Sequence, residues 1–468
     1  MSKTVAKRSK ASEAMIQALA GSRALMGGTR AMREAGKRLL PKFDAESQEA
    51  YEARLKSSWL FNGYRKTVRD MTGRVFDKAI ELVDADTTLT EWAENIDLAG
   101  NDLSTFARQV FEDGFGGAGI SYIMVDAPPR DETVTRAQAQ SMNLRPYMVH
   151  LRAEDILGWQ ARSINNVMTL TQLRIMEVVT EADPKDEFAE VEIEQVRVLD
   201  RLESGVQIRI FRENEKNEWI QVDEPRFTGL NEITVAPFYA NRSGFFMGLP
   251  LMDDLADVNI AHWQSQSDQR NILHFARVPI LHAAGRSDED GALVVSSGTA
   301  VASSDPAAKL EWVEHSGAAI GAGRQDLKDL EFQMETFGLQ LLAAKPGGQS
   351  ATGEMLDSKK ETSALAMTAD QLQDALELAL GWMAEYGGLG EASVSVTVNK
   401  DYGVSVVTAQ EMLAMLQAVN TGNLSRATFL AELARRGFLR ADLDPEEEAE
   451  RIGNAPPSLT GEGLDLGT

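Results

Sequence analysis

The sequence predicts an α+β chain, and three observations carry that expectation. Residues 146–240 alternate apolar and polar side chains in runs separated by turn residues, as antiparallel strands with one wet face do. Residues 248–279 carry one long helical pattern between two prolines. Two later segments, 327–341 and 365–383, step their apolar groups by three and four residues. Strands are thus gathered in one stretch and long helices in another.

Composition sets the outer limits. At 468 residues the chain can bury a sizeable core and divide into several lobes. No run of 18 apolar residues and no signal-peptide pattern is present, so neither a membrane span nor secretion is expected. With no cysteine, disulfides and thiolate chemistry are excluded. The net charge of −24 is uneven: residues 1–44 hold ten Lys or Arg against three acids, leaving −31 on the remainder. So acidic a body does not wrap nucleic acid tightly, although an acidic wall would keep a passing duplex from sticking.

Residues 1–44, basic and interrupted by Gly27 and Gly28, read as a mobile or partner-ordered arm with short helical pieces. From Ala45 the pattern turns helical through Tyr51, Leu55, Trp59, Tyr64, Val68, Met71 and Val75, with a break at Asn62-Gly63. A helix over 102–113 precedes the strand Ile120–Asp126. Between them, Gly114–Gly119 matches GxGxxG literally. A dinucleotide fingerprint requires strand, glycine turn, then helix, and here the order is reversed. Strands are expected at 148–152, 170–179, 191–199, 206–212 and 218–222.

Pro250 suits a first helical turn and Pro279 cannot continue a helix, so the prolines bracket one rod. Leu251, Leu255, Val258, His262, Ser265, Gln269, Ile272 and Ala276 form its stripe, apolar at both ends and polar in the middle. Two readings stay open: packing against wet, repeated neighbours, or an ordinary core helix with satisfied polar groups. Short strands at Ile280–His282, Leu293–Val295, Ala300–Ala302 and Leu310–Glu314 follow. A heptad-like seam then runs through Leu327, Leu330, Met334, Phe337 and Leu341. Pro346-Gly-Gly breaks it before a helix through Leu365, Ala369, Leu372, Leu376, Ala379 and Met383, and a strand at 392–399. The last part is helical: 408–419, a helix capped by Ser425 and stopped at Gly437, and one starting at Asp444-Pro. Residues 454–468 are expected to be disordered.

These segments carry a resemblance. The run from Arg242 (Arg-Ser-Gly-Phe-Phe-Met-Gly-Leu-Pro-Leu), the run from Asp254 to Trp263 and the run from Ser267 to His274 resemble tailed-bacteriophage portal proteins, in the branch often filed as a domain of unknown function. Tyr51–Phe76 and the Glu331–Leu342 run, followed by a Ser/Thr-rich loop and a helix, are similar to the same group. The resemblance spans roughly 50–452 and rests on the order of segments. It implies a portal-like fold: arm 1–44, wing 45–247, first stem helix 248–279, clip 280–323 and second stem helix 324–342. Tunnel loop, tunnel helix and wing return would occupy 343–405, a helical crown 406–452 and a disordered tail 453–468. It further implies a ring, usually of twelve copies, at one capsid vertex, built in the host cytoplasm and carried in the virion. The ring would pass double-stranded DNA without sequence specificity and meet the terminase large subunit, the major capsid or scaffold protein and a tail adaptor. Lys359, Lys360, Ser350 and Thr352 would face the DNA; Leu255, Val258, His262, Gln269, Leu330 and Met334 would form the stem-helix interface.

Catalytic motifs are absent. There is no GxxxxGK[ST], and Gly347–Gly353 lacks both the P-loop lysine and the GxSxG spacing. The five histidines offer no HExxH and no i,i+4 pair; His262 and His274, twelve residues apart, would not share a metal within one subunit. No enzyme activity, cofactor or metal is expected. The competing readings are a nucleotide-binding α/β enzyme built on Gly114–Gly119 and another virion structural or adaptor protein.

Overall fold

The computed structural model describes residues 4–128, 142–183, 186–277, 280–285, 307, 309–313, 318–341, 363–389, 394–400, 402, 416–419, 421–423 and 425–435. The fold is α+β, in two compact units, Met1–Lys400 and Asp401–Thr468.

The first unit begins with α1 (Lys10–Ala18) and α2 (Ala20–Ala35). The short helical pieces expected here are present, and the segment packs on its own chain. Met15, Leu19, Leu25 and Met32 are buried, and the backbone N–H of Ser9 donates to Leu157 O at 2.8 Å. Arg174 Nη1 donates to the carbonyls of Thr4, Val5 and Lys7 at 2.9, 2.6 and 2.8 Å. The basic count hid this because several cations are spent internally. Arg33 serves Ser58 O at 2.7 Å, and Arg23 serves Asp113 and Glu154, each at 2.8 Å.

Next come α3 (Gln48–Ser57) and α4 (Gly63–Val75). The Asn62-Gly63 break is a cap: Asn62 Oδ1 accepts from Arg65 N at 2.8 Å, meeting one of the orphan donors of α4. Strand β1 (Glu81–Val83) and α5 (Thr87–Ala93) precede α6 (Leu103–Gly116), whose cap Asp102 accepts from Thr105 N at 2.7 Å. Then follow β2 (Ile120–Asp126), β3 (Tyr147–Leu151), β4 (Ile156–Ile164), β5 (Val167–Ala182), β6 (Glu190–Leu202), β7 (Gly205–Glu213), β8 (Trp219–Gln221), β9 (Arg226–Phe227) and β10 (Val235–Tyr239). β4 to β8 form an antiparallel sheet in sequence order, with β9 added on β7; a second sheet runs β10-β2-β3. Leu173, Ile175, Leu199, Val206, Tyr122 and Met124 join α1's Met15 in one core, which is why α1 is held.

A small hairpin, β11 (Arg242–Gly244) with β12 (Met247–Gly248), feeds α7 (Asp253–Ala276), β13 (Ile280–Ala284), β14 (Lys309–Val313) and α8 (Ala318–Gln340). After these, α9 (Ala364–Gly387) runs from its cap Ser363 to Gly388, which takes the left-handed stop at φ 68°. It packs against β10 and β2 through Leu372, Leu376, Leu380 and Met383, all buried. β15 (Ser395–Thr397) pairs antiparallel with β1, so the chain returns more than 300 residues later to its first strand.

In the second unit, α10 (Arg426–Arg435) starts as read: Ser425 Oγ accepts from Thr428 N at 3.0 Å. The expected strands at 293–295 and 300–302, the loop 343–362, the stop at Gly437, the helix from Asp444 and the tail lie outside the described residues.

Candidate functional site

The feature that the sequence points to is the segment from α7 to α8. At 24 and 23 residues, these helices are about 36 and 34 Å long at 1.5 Å per residue. They are joined through β13 and β14, which pair antiparallel from Ile280↔Val313 to Ala284↔Lys309. Two helices therefore lie against one another and close on a two-stranded ladder.

Helix α7 is covered on two sides, by α8 and by the layer of α2, α3 and α4. Most of its polar middle finds partners within one chain. Asn259, fully buried, accepts from Tyr64 N at 2.9 Å and donates to Phe61 O at 2.8 Å. Ser267 meets Ser58 Oγ at 2.9 Å, and Gln264 donates to Leu39 O at 3.0 Å. Toward α8, Ser265 donates to Asp326 at 2.6 Å, Gln269 donates to Ile320 O at 2.9 Å, and His262 Nε2 stands 3.4 Å from Glu331. Ser265 and Gln269 thus have partners within the chain, as the core-helix reading expects, whereas His262 has one for Nε2 alone. Leu255, His262, Gln269 and Met334, expected at a stem-helix interface, are buried by this chain itself; Val258 and Leu330 are half-buried. The faces left open were missed because a periodicity does not say which side faces out. They carry Phe332 and Leu339 on α8, 70% and 65% exposed.

His262 is a tension point. It is 1% exposed, its Nδ1 has no hydrogen-bond partner among the described residues, and the Phe61 ring lies 5.2 Å away. Burial pushes its imidazole below the ordinary 6.5, outweighing the carboxylates of Glu331 and Asp326. The folded state thus favours the neutral ring. Its contribution to stability is complete above the unfolded value and lost as pH falls below about 6.5. In His262→Gln the drop in urea midpoint between pH 7.5 and 5.5 is expected to be smaller than in the parent; an equal drop would place the acid sensitivity elsewhere.

The glycine run is a packing device. Gly114 and Gly116 lie in or at the end of α6, and a Cβ on them would meet Phe238 at 2.7 Å and Val68 at 2.9 Å. At Gly119 (φ +71°) it would collide with the Leu249 carbonyl. The space a pyrophosphate would need is filled by this chain, and the helix precedes the strand, so the nucleotide-binding alternative is not supported by the geometry.

A second cluster deserves the same test. Ser121 Oγ lies 2.7 Å from His150 Nε2, and Asp113 Oδ2 lies 3.6 Å from that same nitrogen. A hydrolase triad places nucleophile and orienting acid on opposite ring nitrogens, whereas here serine and aspartate share one, and Ser121 is fully buried. Burial alone would push the Asp113 carboxyl up, but His150 and Arg23 outweigh it and hold it low. The arrangement is an ion-pair network that fastens α2 to α6 and β3. Among the described residues, no three His, Asp or Glu side chains converge as metal ligands, and no helix is long and apolar enough to cross a membrane. Lys359, Lys360, Ser350 and Thr352 lie outside the described residues.

Comparison with known proteins adds a little. The family described as a domain of unknown function, DUF4055, matches residues 250–387, under a third of the chain, from the entry of α7 to the end of α9. No curated protein matches. Among solved structures, the chain is similar to one in the neck of an empty gene transfer agent (GTA) particle computed with C6 symmetry. There the identity is 10%, coverage 80% of this chain and 88% of that one, and the TM-score 0.39. It is similar also to a chain in the neck of a native GTA particle computed with C12 symmetry (10%, 80% and 89%, TM-score 0.38). A third similarity is to the virion of a native gene transfer agent particle (10%, 91% and 99%, TM-score 0.36).

Proposed function

We propose that this chain is a structural subunit of a tailed-phage or phage-like particle, and specifically a portal: one copy in a head–tail connector ring through which the genome is packaged and ejected. The observation that carries the reading is the α7–β13–β14–α8 unit, two long helices closing on a ladder and pinned at their polar middle to α2, α3 and α4. Such a rod keeps its shape when copies stand side by side around an axis. In this reading α7 and α8 are the stem, the β13–β14 stretch between them the clip, α9 the tunnel helix under a wing made of the two sheets, and 406–452 the crown. Contact between copies falls to exposed groups such as Phe332 and Leu339, since the buried seam is already used. Partners are further copies, double-stranded DNA, terminase large subunit, capsid or scaffold protein and tail adaptor.

Native mass spectrometry of the purified assembly, with particle images alongside, is the direct test. Twelve copies of the 51.2 kDa chain give a closed ring of ~614 kDa with a central hole. A persistent monomer or dimer, also after co-expression with scaffold, overturns the ring. A second expectation concerns the channel. Lys359→Ala with Lys360→Ala should leave the ring mass unchanged and alter the DNA content of capsids; unchanged content removes the pair from the channel wall.

A further inference from the structure

Along the last turns of α7 and the residue that follows it, Arg270, His274 and Arg277 follow one another at steps of four and three residues. Ala50, Ala53 and Ser57 of α3 face them, and together with Arg54, Asn271 and Leu273 these residues line a cleft of about 540 Å³. In a chain with 71 acidic residues and a net charge of −24, that lining contains no carboxylate. Arg54 is already neutralised by Glu46, at 2.8 and 2.9 Å, and by Asp268 at 3.6 Å. Arg270 and Arg277 are exposed and have no carboxylate partner among the described residues. Their position at the C-terminal end of α7 satisfies the helix dipole, but that holds for any cation there and does not require a cleft.

We propose that this cleft between α3 and α7 is a docking site for an acidic amphipathic helix of a partner protein. Charge complementarity and shape carry the choice of occupant. Arg270 and Arg277 are seven residues, about 10 Å, apart along the helix axis, the interval of carboxylates two turns apart on a second helix. The floor of Ala50, Ala53 and Leu273 is small and apolar, so it takes the apolar stripe of such a helix while the guanidinium groups take its acidic edge. A nucleic-acid strand fits less well. The one ring in the cleft is the His274 imidazole, and two arginines make a short cationic track on an otherwise acidic chain. The site is independent of the ring reading, because it needs only one copy.

The test is fluorescence anisotropy with the full chain and a labelled helical peptide of about eighteen residues, carrying leucine on one face and glutamate at four- and three-residue steps on the edge. A charge-scrambled peptide and a labelled oligothymidylate are run beside it. The glutamate peptide should bind, and Arg270→Glu with Arg277→Glu should weaken it by roughly tenfold or more, as should filling the floor with Ala53→Trp. Circular dichroism and native mass verify that both variants keep fold and assembly. Four results overturn the proposal. They are no peptide binding by the parent chain, binding that ignores both variants, oligothymidylate binding that the variants abolish in place of peptide binding, and loss of the assembly on charge reversal without peptide binding. The last would give the cleft to a second copy.

Discussion

Gly119→Ala is expected to be among the most damaging single substitutions in this chain, costing upwards of ~4 kcal/mol or yielding insoluble protein. Two effects add. The residue sits at φ +71°, which a side chain tolerates only at about 1–3 kcal/mol. A Cβ would also strike the Leu249 carbonyl, which is backbone and cannot swing aside as a side-chain tip can. Gly248 faces back across the same crossing, where its Cβ would meet Ala118 O and the Gly119 carbonyl carbon at 2.7 Å. Hydrogen bonds from Asn241 N to Gly119 O (2.8 Å) and from Leu249 N to Asn241 O (3.1 Å) lock the two segments together. The crossing therefore fixes where the chain turns into α7. Gly100→Ala separates the two effects: φ is +98° there, yet nothing lies within 4 Å of the new Cβ, so only the backbone cost remains. Urea unfolding of both variants checks this, and similar losses in the two would mean that the crossing relaxes around a methyl group.

That crossing also marks what the sequence could and could not disclose. The literal GxGxxG match invited a phosphate site, and element order alone spoke against it; that the glycines pack on Phe238, Val68 and Leu249 depends on residues far along the chain. Local signals were read well wherever the cause was local. The Asn62 cap, the Ser425 cap, the alternation in β5 to β7 and the seam of Leu327, Leu330, Met334 and Phe337 on α8 all depend on neighbours within a few residues. The packing of the N-terminal segment was missed because its charge was counted before its periodicity. Met15, Leu19, Leu25 and Met32 keep helical spacing, but ten cations obscured them, and the carbonyls and carboxylates that absorb Arg8, Arg23 and Arg33 come from distant segments. The polar middle of α7 was visible as a pattern. Its partners were not, since Asn259 reaches Tyr64 and Phe61 almost 200 positions away.

Asn259→Leu should be a costly change in α7 despite its favourable shape, destabilising the chain by about 1–3 kcal/mol. Leucine matches asparagine closely in size and is a better helix former, so propensity and packing predict a neutral or mildly favourable change. Hydrogen bonding predicts the opposite, and its magnitude decides. Removing the amide leaves the Tyr64 N–H without its partner at a fully buried position, at about 1–3 kcal/mol, and takes one of two donors from the Phe61 carbonyl, which keeps Gly63 N at 3.2 Å. Both groups lie at the start of α4, where orphan donors are already the weak point of a helix. The loss should appear as a lower urea midpoint with unchanged slope, because the exposed surface on unfolding stays the same. Asn259→Ser provides the intermediate case, keeping an oxygen acceptor on a shorter arm. A leucine variant as stable as the parent would sink the idea that this clamp holds α7 to the α2–α4 layer, and would leave α8 as its main support. In the ring proposed above, the leucine variant should also come apart at a lower temperature than the parent, because the rod that carries the exposed Phe332 and Leu339 face would no longer be rigidly seated.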